Sequence, residues 1–185
     1  MLAMHKSFEG MPIMSLQSGG KLGELATPII DPRKLQIVAY YAEGPRIHEV
    51  SVLHTSDIRE VGPLGIIVND ADEIMVADDG LVRLKEVLDF NFTLIGKQVV
   101  DDQKKKLGKV IDYTIETDGF TIQKLHVSQS IMKNVMTSSL IIGRAQVVQV
   151  TDKEIVVRSA AVPETTGLGQ LVNPFRRSKG SLAPE

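Results

Sequence analysis

The strongest constraint on what this 185-residue chain can fold into is that it repeats itself. Phe8-Glu9-Gly10-Met11-Pro12-Ile13 resembles Leu94-Ile95-Gly96-Lys97-Gln98-Val99 at a spacing of 86. Gly20-Lys21-Leu22-Gly23-Glu24-Leu25 resembles Lys105-Lys106-Leu107-Gly108-Lys109-Val110 at 85, and Ile37 falls on Ile122 at the same spacing. Farther on, Ile66-Ile67-Val68 matches Ile155-Val156-Val157 at 89. The drift places about four extra residues in the second copy, within 128–139, in a loop where insertions are tolerated. A unit of roughly 75–80 residues is marginal alone because it buries a small share of its surface, so two docked copies are expected.

Each copy reads as β. Thr114-Ile115-Glu116 and the run from Phe120 to Val127 alternate apolar and polar around Asp118-Gly119, a hairpin signal. In the first copy Asp31-Pro32 takes the turn position between 27–30 and 35–42. Gly23 and Gly108 each follow a polar turn, where a left-handed or closely packed backbone calls for glycine. Both copies end in a strand pair, 57–61 with 65–69 and 145–150 with 154–158. Between the copies, Asp78 or Asp79 is placed to cap a short helix whose Leu81, Leu84 and Leu88 recur at helical spacing. That stripe is expected to be buried between the two units.

These patterns, above all Leu94-Ile95-Gly96-Lys97-Gln98-Val99, Lys106-Leu107-Gly108-Lys109-Val110 and Phe120-Thr121-Ile122-Gln123-Lys124-Leu125, resemble the PRC-barrel. This module is shared by the photosynthetic reaction-centre H subunit and the C-terminal half of a ribosome maturation factor. The chain resembles bacterial and archaeal proteins carrying two such domains in tandem. The expected architecture is mainly all-β: one barrel over 7–70, a linker with a short helix over 71–92, a second barrel over 93–162, and a flexible C-terminal tail over 163–185. The resemblance implies a non-enzymatic protein-binding scaffold or adaptor, with no catalytic residues to carry over.

Composition narrows the chemistry further. There is no cysteine, so disulfides, thiolate metal sites and a cysteine nucleophile are excluded. No apolar run approaches the ~20 residues that span a bilayer, and the first six residues lack the apolar core of a signal peptide, so a cytoplasmic protein without membrane insertion is expected. His5, His48, His54 and His126 are scattered without metal-ligand spacing, and His54-Thr55-Ser56-Asp57 reads as turn polarity. Asn69-Asp70-Ala71-Asp72-Glu73 lacks the glycine and distal glutamate of a calcium loop. Neither a cofactor nor a metal is expected.

Charge and apolar islands point to partners. Residues 1–93 carry 8 Lys/Arg against 14 Asp/Glu, a net of −6, and residues 94–185 carry 13 against 9, a net of +4. Another protein is the expected partner, with a homodimer as one form of this. Ile131, Met132, Val135 and Met136 form an adaptable apolar loop, and Leu171, Val172, Phe175, Arg176 and Arg177 form an apolar-then-basic island in the tail. The alternative is a ribosome- or RNA-associated assembly factor whose phosphate contacts are Lys104, Lys105, Lys106 and Lys109, though no aromatic residues interleave with them for base stacking.

Overall fold

The computed structural model describes residues 1–77, 82–128 and 139–158. Among these residues there are fourteen strands and one helix, so the chain is mainly β. A short strand β1 (Leu2–Met4) comes first. Then follow β2 (Pro12–Ser15), β3 (Lys21–Asp31), β4 (Gln36–Glu43), β5 (Ser51–His54), β6 (Glu60–Gly62), β7 (Gly65–Val68) and β8 (Ile74–Val76). Helix α1 (Val82–Asp89) leads to β9 (Gln98–Asp101), β10 (Lys106–Glu116), β11 (Thr121–Ser128), β12 (Ser139–Gly143), β13 (Val147–Val150) and β14 (Glu154–Val157).

The second run of strands pairs as the first does. β2, β3, β4 and β5 pair antiparallel in succession, β6 pairs β7, and β7 returns parallel to β2. β9, β10, β11 and β12 do the same, β13 pairs β14, and β14 returns parallel to β9. Ala39 faces His54 where Lys124 faces Gly143, so the offset grows from 85 to 89 across the connection between β11 and β12. Backbone detail repeats as well: Leu35 and Phe120 both adopt positive φ, at 45° and 50°.

Pairing among the described residues does not close either run into the expected barrel. The strands that would have to meet, β5 with β6 and β12 with β13, are not hydrogen-bonded to each other. A 3₁₀ turn, Thr55–Asp57 or Arg144–Gln146, lies in the connection and leads the chain off the sheet edge at that point.

Close packing explains the glycines after the polar turns. A Cβ on Gly108 would lie 2.0 Å from the Ser128 carbonyl oxygen, and one on Gly23 would lie 2.6 Å from that of Glu43. Gly108 also holds φ at +144°, beside a bulge in the β9–β10 register.

One hydrophobic cluster draws on both runs and includes Phe8, Ile13, Tyr40, Leu53, Val99, Tyr113, Phe120 and Ile155. The Phe8, Tyr40 and Phe120 rings meet at 6.0–6.2 Å, so aromatic contact crosses the seam. The seam also has a reciprocal pair of backbone bonds. Ile37 N–H donates to the Phe120 carbonyl and Ile122 N–H to that of Leu35, each at 2.9 Å. Strand β1 joins this arrangement by pairing with β10, Ala3 opposite Ile115.

Helix α1 departs from expectation. Its Leu84 and Val87 are buried in a separate cluster with Ile29, Ala39 and Val52, on the opposite face of β3, β4 and β5 from the main core. The helix therefore covers the first run rather than filling the space between the two. The physical reason is that the outward positions of those strands are also apolar and need a cover.

Candidate functional site

The lysine loop is built on a buried carboxylate. Asp101, only 5% exposed, accepts the backbone N–H groups of Gln103 and Lys105 at 2.9 and 2.8 Å and so shapes the β9–β10 turn. Lys104 sits at φ 66° and its Nζ donates to Glu154 at 2.8 Å. Lys105, Lys106 and Lys109 are exposed. The loop offers solvated point charges, one of them already paired, and no ring on which a base could stack.

The apolar loop residues Ile131, Met132, Val135 and Met136 lie outside the described residues, as do Leu171, Val172, Phe175, Arg176 and Arg177.

The polar groups that superficially suggest catalysis are engaged in local structure. In the Thr55–Asp57 turn the Ser56 N–H donates to His54 Nδ1 at 3.2 Å, and Ser56 Oγ donates to Asp57 at 3.1 Å. Thr55 Oγ1 donates to the Ile37 and Val38 carbonyls. Serine lies between histidine and carboxylate, which is not the order that lets an imidazole take a hydroxyl proton and be steadied by an acid. In the acidic stretch, Glu73 accepts both the backbone and side-chain N–H of Asn69 at 2.8 Å, and Asp70 caps Asp72. Among the described residues no group of three or more His, Asp or Glu is placed to hold a metal ion.

A buried polar set lies near the seam. His5 stacks on Tyr113 with centroids 4.5 Å apart and planes within 8°. Its Nδ1, with the Tyr40 and Tyr113 hydroxyls, is buried without a hydrogen-bond partner. Burial pushes the His5 imidazole below 6.5, although Glu9, 3.4 Å from Nε2, and Asp112 oppose this. Burial likewise pushes both phenols above 10.

The surface differs between the two runs. The outer edge of β5 is paired by β8, and Val52 on β5 is 1% exposed. The matching strand β12 has no strand on its outer edge among the described residues, and Ile141, which occupies the position of Val52, is 53% exposed. β13 and β6 end the sheet, and Val148 on β13 is 58% exposed.

Two grooves of about 280 Å³ each open at the seam. One lies between turn 32–35 and β13; the other lies between turn 117–120 and the segment 55–61. Arg33, Lys34 and Arg144 line the first, and the sequence reading passed over all three. They are ordinary surface cations until the fold brings residues more than a hundred positions apart together. The only available signal was comparison of the repeats, in which Asp118, Gly119 and Thr55 stand at their places.

Comparison with protein-family models found no match, and comparison with curated proteins found no significant match.

Proposed function

We propose that this chain is a non-enzymatic scaffold or adaptor, built from two diverged PRC-barrel-like units, that binds another protein in the cytoplasm. One observation carries the reading. The first unit covers the edge and outer face of β5 with its own β8 and α1, whereas β12 leaves its matching edge open and Ile141 exposed among the described residues. An open edge beside apolar side chains is a surface that a partner strand extends. The local engagement of His54, Ser56, Asp57, Asp70 and Glu73 in turns supports a binding role over a catalytic one.

The test uses full-length protein as bait in native lysate, beside Ile141→Asp and a control, Leu64→Asp, at another exposed apolar residue. Stoichiometric capture that Ile141→Asp abolishes and Leu64→Asp retains is the expected result. Capture indifferent to Ile141, or captured RNA released by changing Lys105 and Lys106 to Glu, would overturn it.

A further inference from the structure

We propose that the groove between turn 32–35 and β13 receives an extended acidic segment of a partner protein. This rests on the scaffold reading above and names the chemistry of the partner.

The argument begins with the duplication. The two grooves occupy matching places in the repeat: Pro32, Arg33 and Leu35 stand where the other has Thr117, Asp118 and Phe120, and Arg144 stands at the place of Thr55. Each takes one wall from a turn of one unit and the other from the end strand of its neighbour, so neither groove exists until the units dock. Inheritance accounts for the shared shape and volume. It does not account for the charge.

Three cationic side chains and no carboxylate line the first groove. Its twin is lined by Arg59 together with Glu60 and Asp118. Two of the three cations are held in place. Arg144 donates to the Leu35 carbonyl at 3.0 Å, and Arg33 lies over the Phe90 ring at 5.1 Å while its Nε contacts the buried Asp31 at 3.3 Å and its Nη2 lies 3.6 Å from Glu86. Lys34 is exposed and makes no ion pair with any described residue. Asp31 and Glu86 balance Arg33 from outside the lining. The charge left in the groove, that of Lys34 and Arg144 with no carboxylate among the lining residues, favours an anionic occupant.

Shape and lining select among anions. The wall is β13, the last strand of the sheet, with Val148 projecting 58% exposed at a bulge in its pairing with β14. An extended peptide matches an edge strand in length and places alternate side chains toward Val148 and toward the cations. A nucleic acid would find no aromatic ring in the lining on which to stack a base.

The experiment uses the full chain and fluorescein-labelled ten-residue peptides of alternating Glu and Val, or Lys and Val, read by anisotropy at low salt. The Glu peptide is expected to saturate and the Lys peptide not to bind. The pair Lys34→Glu with Gln149→Glu reverses the charge that the groove leaves uncompensated and should weaken binding at least tenfold. Gln149→Lys should tighten it severalfold, a gain that misfolding does not produce. Changing Glu60 and Gln149 separately distinguishes the grooves, because Glu60→Gln should leave affinity for the Glu peptide within twofold. Equal binding of both peptides, indifference to the charge reversal, or tighter binding of a ten-nucleotide RNA that the same reversal abolishes would each overturn the proposal. If it is overturned while Ile141→Asp still abolishes partner capture, the scaffold reading stands without this groove.

Discussion

Replacing Gly108 with alanine separates two costs that a glycine position can carry. The first is conformational: at φ +144° an L side chain is strained, at about 1–3 kcal/mol. The second is steric. The new methyl would lie 2.0 Å from the Ser128 oxygen, 2.8 Å from its carbonyl carbon and 2.9 Å from Val127 Cγ1, so β10 and β11 must separate or slip. Overpacking of this kind costs about 1–3 kcal/mol. The bond from Gln98 Nε2 to the Gly108 carbonyl, 2.7 Å long, is also put at risk, for about 1 kcal/mol. The expected total is about 3–7 kcal/mol, a large part of the roughly 5–15 kcal/mol that holds a typical domain together. Gly96 is the internal control, since its φ is +83° but nothing lies within 4 Å of its would-be Cβ. Gly96→Ala should therefore cost only about 1–2 kcal/mol. Urea unfolding of full-length proteins measures both, with an unchanged m-value confirming that the difference is one of stability. Equal losses for the two variants would refute the steric half of the reasoning.

Other consequences follow from the seam. Because burial lowers the His5 pKa, the folded protein binds its proton less readily than the unfolded chain. The His5 contribution is thus neutral above pH 6.5, and stability falls as pH drops below it, by at most about 1.4 kcal/mol per unit from this residue. Urea midpoints at pH 7.5 and 5.0 should fall further for the wild type than for His5→Asn, and parallel curves would remove His5 as the cause. Tyr40→Phe and Tyr113→Phe delete hydroxyls that have no partner and should leave stability unchanged or raise it; a loss above about 1 kcal/mol in thermal unfolding would show that the hydroxyl is satisfied, for instance by a buried water. Phe120→Ala, at a 3% exposed ring touching Phe8 and Tyr40, should cost about 3–5 kcal/mol. Calorimetry should still show one transition, because the core is shared; two separated transitions would argue against that sharing.

Much of the β architecture was legible locally. The alternation from Thr121 to Val127 and the Asp118-Gly119 turn describe a hairpin whatever lies around it, and β10 and β11 form there. Gly23 and Gly108 likewise mark close approach, because no other residue lacks a Cβ. The helix was legible as an element but not in its placement. A stripe of Leu84 and Leu88 specifies that a face must be covered, yet not whether the cover is the seam or the outer face of β3 to β5. That depended on Ile29, Ala39 and Val52, which look like ordinary strand residues until the pleat assigns them a side. The lysine run shows the opposite limit. Its charge is plain in sequence, but the pairing of Lys104 with Glu154, fifty residues away, is a product of β9 lying beside β14.

By itself, then, the order of residues determined a duplicated, mainly β chain, since periodicity and turn chemistry act over a few neighbours and a repeat copies both. The tertiary structure decided how the copies join and what they present. The shared core, the reciprocal bonds between Leu35, Ile37, Phe120 and Ile122, and the grooves beside them all arise where distant segments meet. Charge at such a meeting place is a sum over positions such as Arg33, Lys34 and Arg144, and chain folding alone brings its members together.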